Sequence, residues 1–172
     1  MPSFQESDRA NRPADAPEAP RPLPELFAAQ ARRNPDAVAL VSETGTLTYG
    51  ELHERVERLA GALAEAGVGR GDRVGVCLER GTELVVALLA VMRAGGAYLP
   101  LDPAYPRQRL EFMLRDSAAA LVVTDPARKG TLLDGTRVFT GEPAASAPAP
   151  RFDLGLDDAA YVIYTSGSTG TP

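Results

Sequence analysis

The sequence predicts an α/β fold in which a mainly parallel β-sheet is covered by helices on both faces. Short apolar strand candidates alternate with helical segments of about a dozen residues, a pattern typical of parallel strands joined through helices. The strands are nearly continuous apolar runs, as expected where both sheet faces are buried. With 172 residues, the chain is long enough to bury one substantial core.

The amino-terminal residues differ from the rest in composition. Residues 1–22 are rich in Pro, Ala, Asp, Glu and Arg and have no periodicity, so they are predicted to form a disordered arm. The folded region is therefore expected over residues 23–172. Its first helix is predicted over residues 24–33, since proline is tolerated in a first turn and Pro35 stops the helix.

A strand candidate at residues 37–41 and an extended segment at 46–48 precede the best-supported helix. Thr48 and Glu51 have the spacing of a capping box, which satisfies free N–H groups at a helix start. Gly67 is suited to end the helix in a left-handed cap. The predicted apolar stripe consists of Leu52, Val56, Leu59, Ala60 and Leu63.

The second half of the chain continues the alternation. Further strands are predicted over residues 73–78, 97–100, 119–124, 136–139 and 160–164. A helix is predicted over residues 82–94, ended by Gly95 and Gly96, and another begins at Pro106. The buried face of this last helix comprises Leu110, Met113 and Leu114. Residues 141–150 are rich in Pro and Ala and are predicted to form an exposed loop.

Composition and charge exclude several classes of function. The net charge is −5 and no extended basic cluster is present, which argues against nucleic-acid binding. The longest apolar run, residues 84–92, is far shorter than the roughly 20 residues of a membrane span. Residues 1–22 do not have the order of a secretory signal, and a single cysteine cannot form an intrachain disulfide. These features predict a cytoplasmic protein with no membrane segment.

The last predicted strand runs directly into hydroxyl-bearing residues and glycines. Glycines can take positive φ, so successive N–H groups can converge on one phosphate, and hydroxyls add further donors. The candidate phosphate-binding residues are Thr165, Ser166, Gly167, Ser168, Thr169 and Gly170. The stretch lacks the lysine of a Walker loop. Composition alone leaves a flexible Ser/Gly-rich tail as the alternative.

Three stretches in order resemble core motifs of adenylate-forming enzymes. Residues 160–172 (AYVIYTSGSTGTP) resemble their phosphate-loop motif, Y-T-S-G-[ST]-T-G-x-P-K-G. Residues 47–52 (LTYGEL) resemble the first core motif, and residues 92–102 (MRAGGAYLPLD) resemble the second. The second motif and the residues that follow it have the form typical of nonribosomal peptide synthetase adenylation domains, whereas general acyl-CoA ligases usually diverge there.

The resemblance implies a two-step reaction. An amino acid carboxylate attacks the α-phosphate of ATP, releases pyrophosphate and forms an aminoacyl adenylate. The acyl group then passes to the phosphopantetheine thiol of a carrier protein, and neighbouring synthetase domains are implied as partners. Mg²⁺ accompanies the ATP. By resemblance, residues 165–170 hold the β- and γ-phosphates.

The resemblance also implies that the domain is incomplete. In the family, the Lys-Gly pair, the nucleotide and Mg²⁺ sites, the amino acid pocket and the catalytic lysine all follow the position of Pro172. The chain is therefore expected to be the first part of a large amino-terminal subdomain, without catalytic or metal-binding residues and inactive alone. The alternatives are a fragment of an acyl- or aryl-CoA ligase and a non-enzymatic nucleotide-binding remnant.

Other chemically notable residues are predicted to be structural. Tyr49 and Glu51 fit helix packing and capping. His53, the only histidine, is predicted to lie on an exposed face. Cys77 is predicted to be a small buried side chain rather than a reactive thiol.

Overall fold

The computed structural model describes residues 20–43, 45–128, 137–140, 149–150 and 152–165. Its helices are α1 (Leu23–Arg33), α2 (Tyr49–Glu65), α3 (Thr82–Arg93) and α4 (Arg107–Asp116), with a short 3₁₀ helix at Pro126–Arg128. Its strands are β1 (Val38–Ser42), β2 (Gly45–Thr48), β3 (Arg73–Cys77), β4 (Ala97–Pro100), β5 (Leu121–Thr124) and β6 (Val138–Thr140).

Four of the strands form one parallel sheet in the order β4-β3-β5-β6. Val74 of β3 lies opposite Tyr98 of β4 on one side and Leu121 of β5 on the other. Helix α3 connects β3 to β4, and α4 connects β4 to β5. Strands β1 and β2 form a separate antiparallel hairpin. The predicted α/β fold with a mainly parallel sheet is confirmed.

The core lies on both faces of this sheet. Because side chains alternate along a strand, Val74 and Val76 face helices α2 and α3, while Cys77 joins the core on the α4 side. Strand β5 divides in the same way, with Leu121 on the first face and Val122 on the second. The prediction of helices on both faces is therefore confirmed.

Helix α2 is built as its sequence predicts. The Thr48 hydroxyl accepts a hydrogen bond from the Glu51 N–H at 3.2 Å, and the Glu51 carboxylate accepts one from the Thr48 N–H at 2.8 Å. All five residues of the predicted apolar stripe are buried. Gly67 follows the helix with φ of +90°, the left-handed conformation expected of a C-terminal cap.

The predicted strand at 160–164 is wrong, because it is reduced to one parallel bridge between Tyr98 and Tyr161. Tyr98 donates to the Ala160 carbonyl at 3.1 Å, and Val162 donates to the Tyr98 carbonyl at 2.9 Å. The next bond of the ladder would need an N–H from Pro100, and proline has none. Pairing therefore stops at Val162.

Three other expectations differ from the structure or fall outside it. In the predicted loop at 141–150, Ala149 is only 6% exposed and packs into the core, where Arg93 donates a hydrogen bond to its carbonyl at 3.2 Å. His53 is half-buried rather than exposed, since its ring packs on Phe27 with centroids 5.9 Å apart. Residues 1–19 of the predicted arm and 141–148 of the loop lie outside the described residues.

Candidate functional site

The structure describes the approach to the predicted phosphate loop. Thr165, the first of the six candidate residues, is exposed and directly follows Tyr164. The other five candidates, Ser166, Gly167, Ser168, Thr169 and Gly170, lie outside the described residues. The described residues that lead up to and include Thr165 are residues 152–165, which we call the lead-in segment.

The lead-in segment reaches the sheet beside β4. Its bridge to Tyr98 is parallel, so the segment runs in the same direction as the sheet strands. The rings of Tyr98 and Tyr161 also pack together, with centroids 5.6 Å apart. The chain thus leaves towards the carboxyl ends of the strands, which is the edge at which parallel α/β sheets bind ligands.

A groove of about 450 Å³ lies at this edge. It is formed by residues that follow β3 and β4 and by the end of the lead-in segment, including Glu79, Arg80, Asp102, Tyr105, Ile163 and Tyr164. Its charged groups have both signs, and Glu79 is paired with Arg128, which also binds Asp125 at 3.1 Å. The groove is therefore open and amphiphilic rather than strongly cationic.

Tyr164 is held at the end of the lead-in segment. Its hydroxyl donates a hydrogen bond to the Asp116 carboxylate at the end of α4. Its ring meets Phe112 edge to face, with centroids 6.1 Å apart. Partial burial and the bond to Asp116 raise the pKa of Tyr164 to about 12. The phenol therefore remains a protonated donor at neutral pH.

An ion pair holds the middle of the lead-in segment. Arg70 Nε lies 2.9 Å from Asp158 Oδ1, while Asp158 Oδ2 accepts from the Gly155 N–H at 2.8 Å. The hydrogen bond from Arg70 is the main cause of the lowered pKa of Asp158, and the Gly155 bond adds to it. These contacts tie the segment to the loop before β3.

Arg93, at the end of α3, joins the chain before the lead-in segment to α2. Its guanidinium binds Glu57 through two nitrogens, at 2.6 and 3.1 Å. It also donates to the carbonyls of Pro150 at 2.7 Å and Ala149 at 3.2 Å. A planar guanidinium can serve all these acceptors at once.

The second core motif turns α3 into β4 and also contacts the lead-in segment. Gly95 has φ of +87°, and a Cβ at this position would lie 3.2 Å from the Phe152 ring and 3.1 Å from the Arg70 nitrogen. Only glycine combines this backbone conformation with so close an approach. The motif therefore supports the segment that leads to Thr165.

The residues predicted to be structural have structural contacts. Cys77 is 1% exposed, and burial raises the pKa of its thiol, which favours the inert form. Tyr49 packs near Phe27, with ring centroids 6.3 Å apart, and Glu51 caps α2. Within the described ranges, no group of three or more His, Cys, Asp or Glu side chains could hold a metal ion.

Sequence reasoning missed the residues that hold the lead-in segment. The side chains of Asp116, Arg93 and Asp158 bind Tyr164, Glu57 and Arg70, which all lie far away in the sequence. Asp158 carries one local signal, since Asp three residues after Gly155 can accept from its N–H in a turn. No comparable signal marks Asp116 or Arg93.

In the part of the chain that the structure describes, no helix combines the length and apolarity of a membrane span.

Comparison with known proteins identifies the relatives of this chain. A subunit of linear gramicidin synthase from Brevibacillus parabrevis is 43% identical over 155 residues, which cover 86% of this chain and 3% of that relative. The chain thus spans a small part of this relative's length.

Solved structures of the nonribosomal peptide synthetase FmoA3 have the same fold as this chain. The form bound to AMPPNP has a TM-score of 0.80 and 42% identity, covering 92% of this chain and 18% of that one. The form bound to alpha-methyl-L-serine-AMP has a TM-score of 0.78 and 43% identity, covering 85% and 17%. The AMP-binding enzyme family matches residues 27–172, and the chain belongs to that family.

Proposed function

We propose that this chain forms the beginning of an amino acid adenylation domain of a nonribosomal peptide synthetase. The observation that carries the proposal is the lead-in segment, which runs parallel to β4 and delivers Thr165 to the carboxyl edge of the sheet. The second core motif supports that segment through Gly95. The proposal is also supported by the similarity to FmoA3, of which one form is bound to alpha-methyl-L-serine-AMP.

In the proposed reaction, a carboxylate oxygen of the amino acid attacks the α-phosphorus of ATP. The bond from that phosphorus to the bridging oxygen breaks, and pyrophosphate leaves with the electron pair. The hydroxyls and N–H groups of residues 165–170 would bind the β- and γ-phosphates and stabilise the negative charge that develops on pyrophosphate. This role is electrostatic and needs no titrating side chain.

The second proposed step uses a carrier protein. The phosphopantetheine thiol attacks the acyl carbonyl, AMP leaves, and a thioester forms. The amino acid, the carrier and neighbouring synthetase domains are thus the proposed partners, in the cytoplasm. Mg²⁺ is proposed to accompany ATP, and the described residues contain no group of three or more His, Cys, Asp or Glu side chains that could bind it.

The test is amino-acid-dependent exchange of labelled pyrophosphate into ATP. Residues 23–172 replace the matching segment of FmoA3, and the chimera is assayed with alpha-methyl-L-serine. We expect exchange by the chimera and none by the 172-residue chain alone, since the rest of the domain is needed for chemistry. A soluble, folded chimera without exchange would contradict the proposed function.

A control distinguishes the phosphate-loop role from a general folding effect. Replacing Gly167 and Gly170 with valine in the chimera adds β-branched side chains where phosphate must approach N–H groups. We expect loss of exchange with an unchanged melting temperature. The non-enzymatic alternative would instead predict an inactive parent chimera that still binds ATP.

A further inference from the structure

We propose that Asp116 and Tyr164 form a positioning pair that fixes Thr165, the first residue of the predicted phosphate-binding stretch, at the carboxyl edge of the sheet. This inference rests on the proposed function, because it concerns the same phosphate-binding stretch. Tyr164 is the residue immediately before Thr165, and its hydroxyl donates to the carboxylate that ends α4. The pair thus joins the start of the stretch to a helix of the fold.

The carboxyl-terminal end of α4, which carries Asp116, is anchored in the core. Leu110, Met113 and Leu114 of α4 are buried against the sheet. The Phe112 ring meets the Tyr164 ring edge to face, which restricts the phenol in a second direction. Tyr164 itself packs on the same core.

Backbone pairing does not extend to this point. The ladder with β4 ends at Val162, because the next bond would need an N–H that Pro100 lacks. The Ile163 and Thr165 side chains on either side of Tyr164 are exposed. Between the end of the ladder and Thr165, the side chain of Tyr164 is therefore the contact that controls the direction of the chain.

The hydrogen bond between Tyr164 and Asp116 is of a strong kind that is retained at neutral pH. A phenol donating to a carboxylate makes a charge-assisted hydrogen bond, which is stronger than a neutral one. The bond persists at neutral pH because the phenol keeps its proton. Tyr164 acts through the residues that follow it, so it is a positioning residue rather than a catalytic one. Small displacements of transition-state donors lower rates strongly, which gives the pair its importance.

The first test uses the 172-residue chain and needs no activity. Hydrogen–deuterium exchange is measured for peptides covering residues 160–165 in Tyr164→Phe and Asp116→Ala. We expect exchange on the order of tenfold faster in both variants, since each loses the anchoring hydrogen bond. Tyr161→Phe is the matched control, because it removes an exposed phenol from the same segment. Unchanged exchange in both variants would overturn the inference.

The second test uses the FmoA3 chimera. Tyr164→Phe is expected to lower kcat for pyrophosphate exchange about tenfold while leaving the KM of the amino acid unchanged. Asp116→Ala should behave alike, and Asp116→Asn, which keeps an acceptor oxygen, should restore most of the lost rate. A purely structural role would change every parameter together and would track the melting temperature.

The two proposals can fail separately. An inactive parent chimera counts against the proposed function, and the exchange measurement on the 172-residue chain still decides the positioning pair. An active parent with unaltered Tyr164→Phe kinetics overturns the positioning pair alone.

Discussion

Gly95 combines two roles at one position. Its φ of +87° lets α3 end and β4 begin, and its missing side chain leaves space for the Phe152 ring. Gly67 has a similar φ of +90°, but a Cβ there would meet no atom within 4 Å. Gly67 is therefore needed only for its backbone conformation, whereas Gly95 is needed for its backbone conformation and for close packing.

Gly95→Ala is expected to destabilise the chain more than Gly67→Ala. Both alanines suffer the left-handed strain of about 1 kcal/mol. Gly95→Ala also pushes against Phe152 and a backbone nitrogen, adding roughly 1–3 kcal/mol. Chemical denaturation of the two variants measures the difference, and equal losses of unfolding free energy would contradict the packing role of Gly95.

Tyr164 is expected to lower the free energy of unfolding at high pH, where its phenol loses the proton. Its pKa of about 12 in the folded chain lies above the ordinary value of 10.0, so the folded state holds the proton more tightly. This contribution is fully present below pH 10 and is lost as the pH rises through about 12.

Asp116→Asn tests the cause of that shift. Removing the negative charge should lower the pKa of Tyr164 towards its ordinary value. A spectroscopic titration of tyrosinate, with Tyr164→Phe to identify the signal, measures it. A pKa that stays near 12 in Asp116→Asn would mean that burial alone causes the shift.

At the scale of elements, α2 is the helix whose start and buried stripe are both defined by local sequence. Its capping box closes the amino end through two reciprocal hydrogen bonds. Its stripe packs on α3 and the sheet, with Val56 and Leu63 at most 1% exposed. Local and tertiary preferences agree here, which is why the sequence predicts this helix well.

Thr48→Ala should cost about 1 kcal/mol of unfolding free energy, because the Glu51 N–H loses its acceptor. Thr48→Ser keeps the hydroxyl and should cost less. A double-mutant cycle with Glu51→Ala, followed by urea denaturation, measures the coupling between the two bonds. Strictly additive losses would show that the capping box does not act as a unit.

At the scale of the whole molecule, Arg93 connects elements that are distant in the sequence. It brings α2, α3 and residues 149–150 together through one guanidinium. Its side chain is 21% exposed, so its interactions are only partly screened by water. The exposed Arg115 pairs with Glu111 at 3.5 Å within one helix, so its ion pair joins no distant elements.

Arg93→Lys is expected to cost about 1–3 kcal/mol, since an ammonium group cannot serve a carboxylate and two carbonyls in the same fork geometry. Arg115→Lys should change the unfolding free energy by less than about 0.5 kcal/mol. Thermal and urea denaturation of both variants measure these effects. Similar losses for the two would contradict the special role of Arg93.

Local patterns predict the elements of this fold better than the contacts between them. The stripe of α2, the cap at Gly67 and the parallel direction of the sheet strands follow from residues close in the sequence. The burial of Ala149 and the bond of Tyr164 to Asp116 depend on partners brought together only by the fold. Composition could not reveal them, because an alanine in a Pro/Ala-rich stretch and an aspartate at a helix end are ordinary surface residues.

For the candidate site, the structure describes only Thr165, so the phosphate-binding role of residues 165–170 stays a prediction. The hydroxyls and glycines of residues 165–170 indicated phosphate chemistry, and Thr165 does lie at the carboxyl edge of the sheet. The predicted strand at 160–164 is only one bridge in the structure, because periodicity there carries no information about Pro100 on the neighbouring strand. The missing proline N–H limits that pairing.

The bridge between Tyr98 and Tyr161 has a consequence for synthesis on the ribosome. The outer edge of β4 receives its partner roughly 60 residues later, or about 3–12 s at 5–20 residues per second. Until then, β4 has one neighbour, β3, and an unpaired edge open to water or to other chains. During that interval the exposed edge of β4 could pair with a strand of another chain. Synthesis of residues 160–162 removes this risk of aggregation, and the same pairing directs the chain towards Thr165.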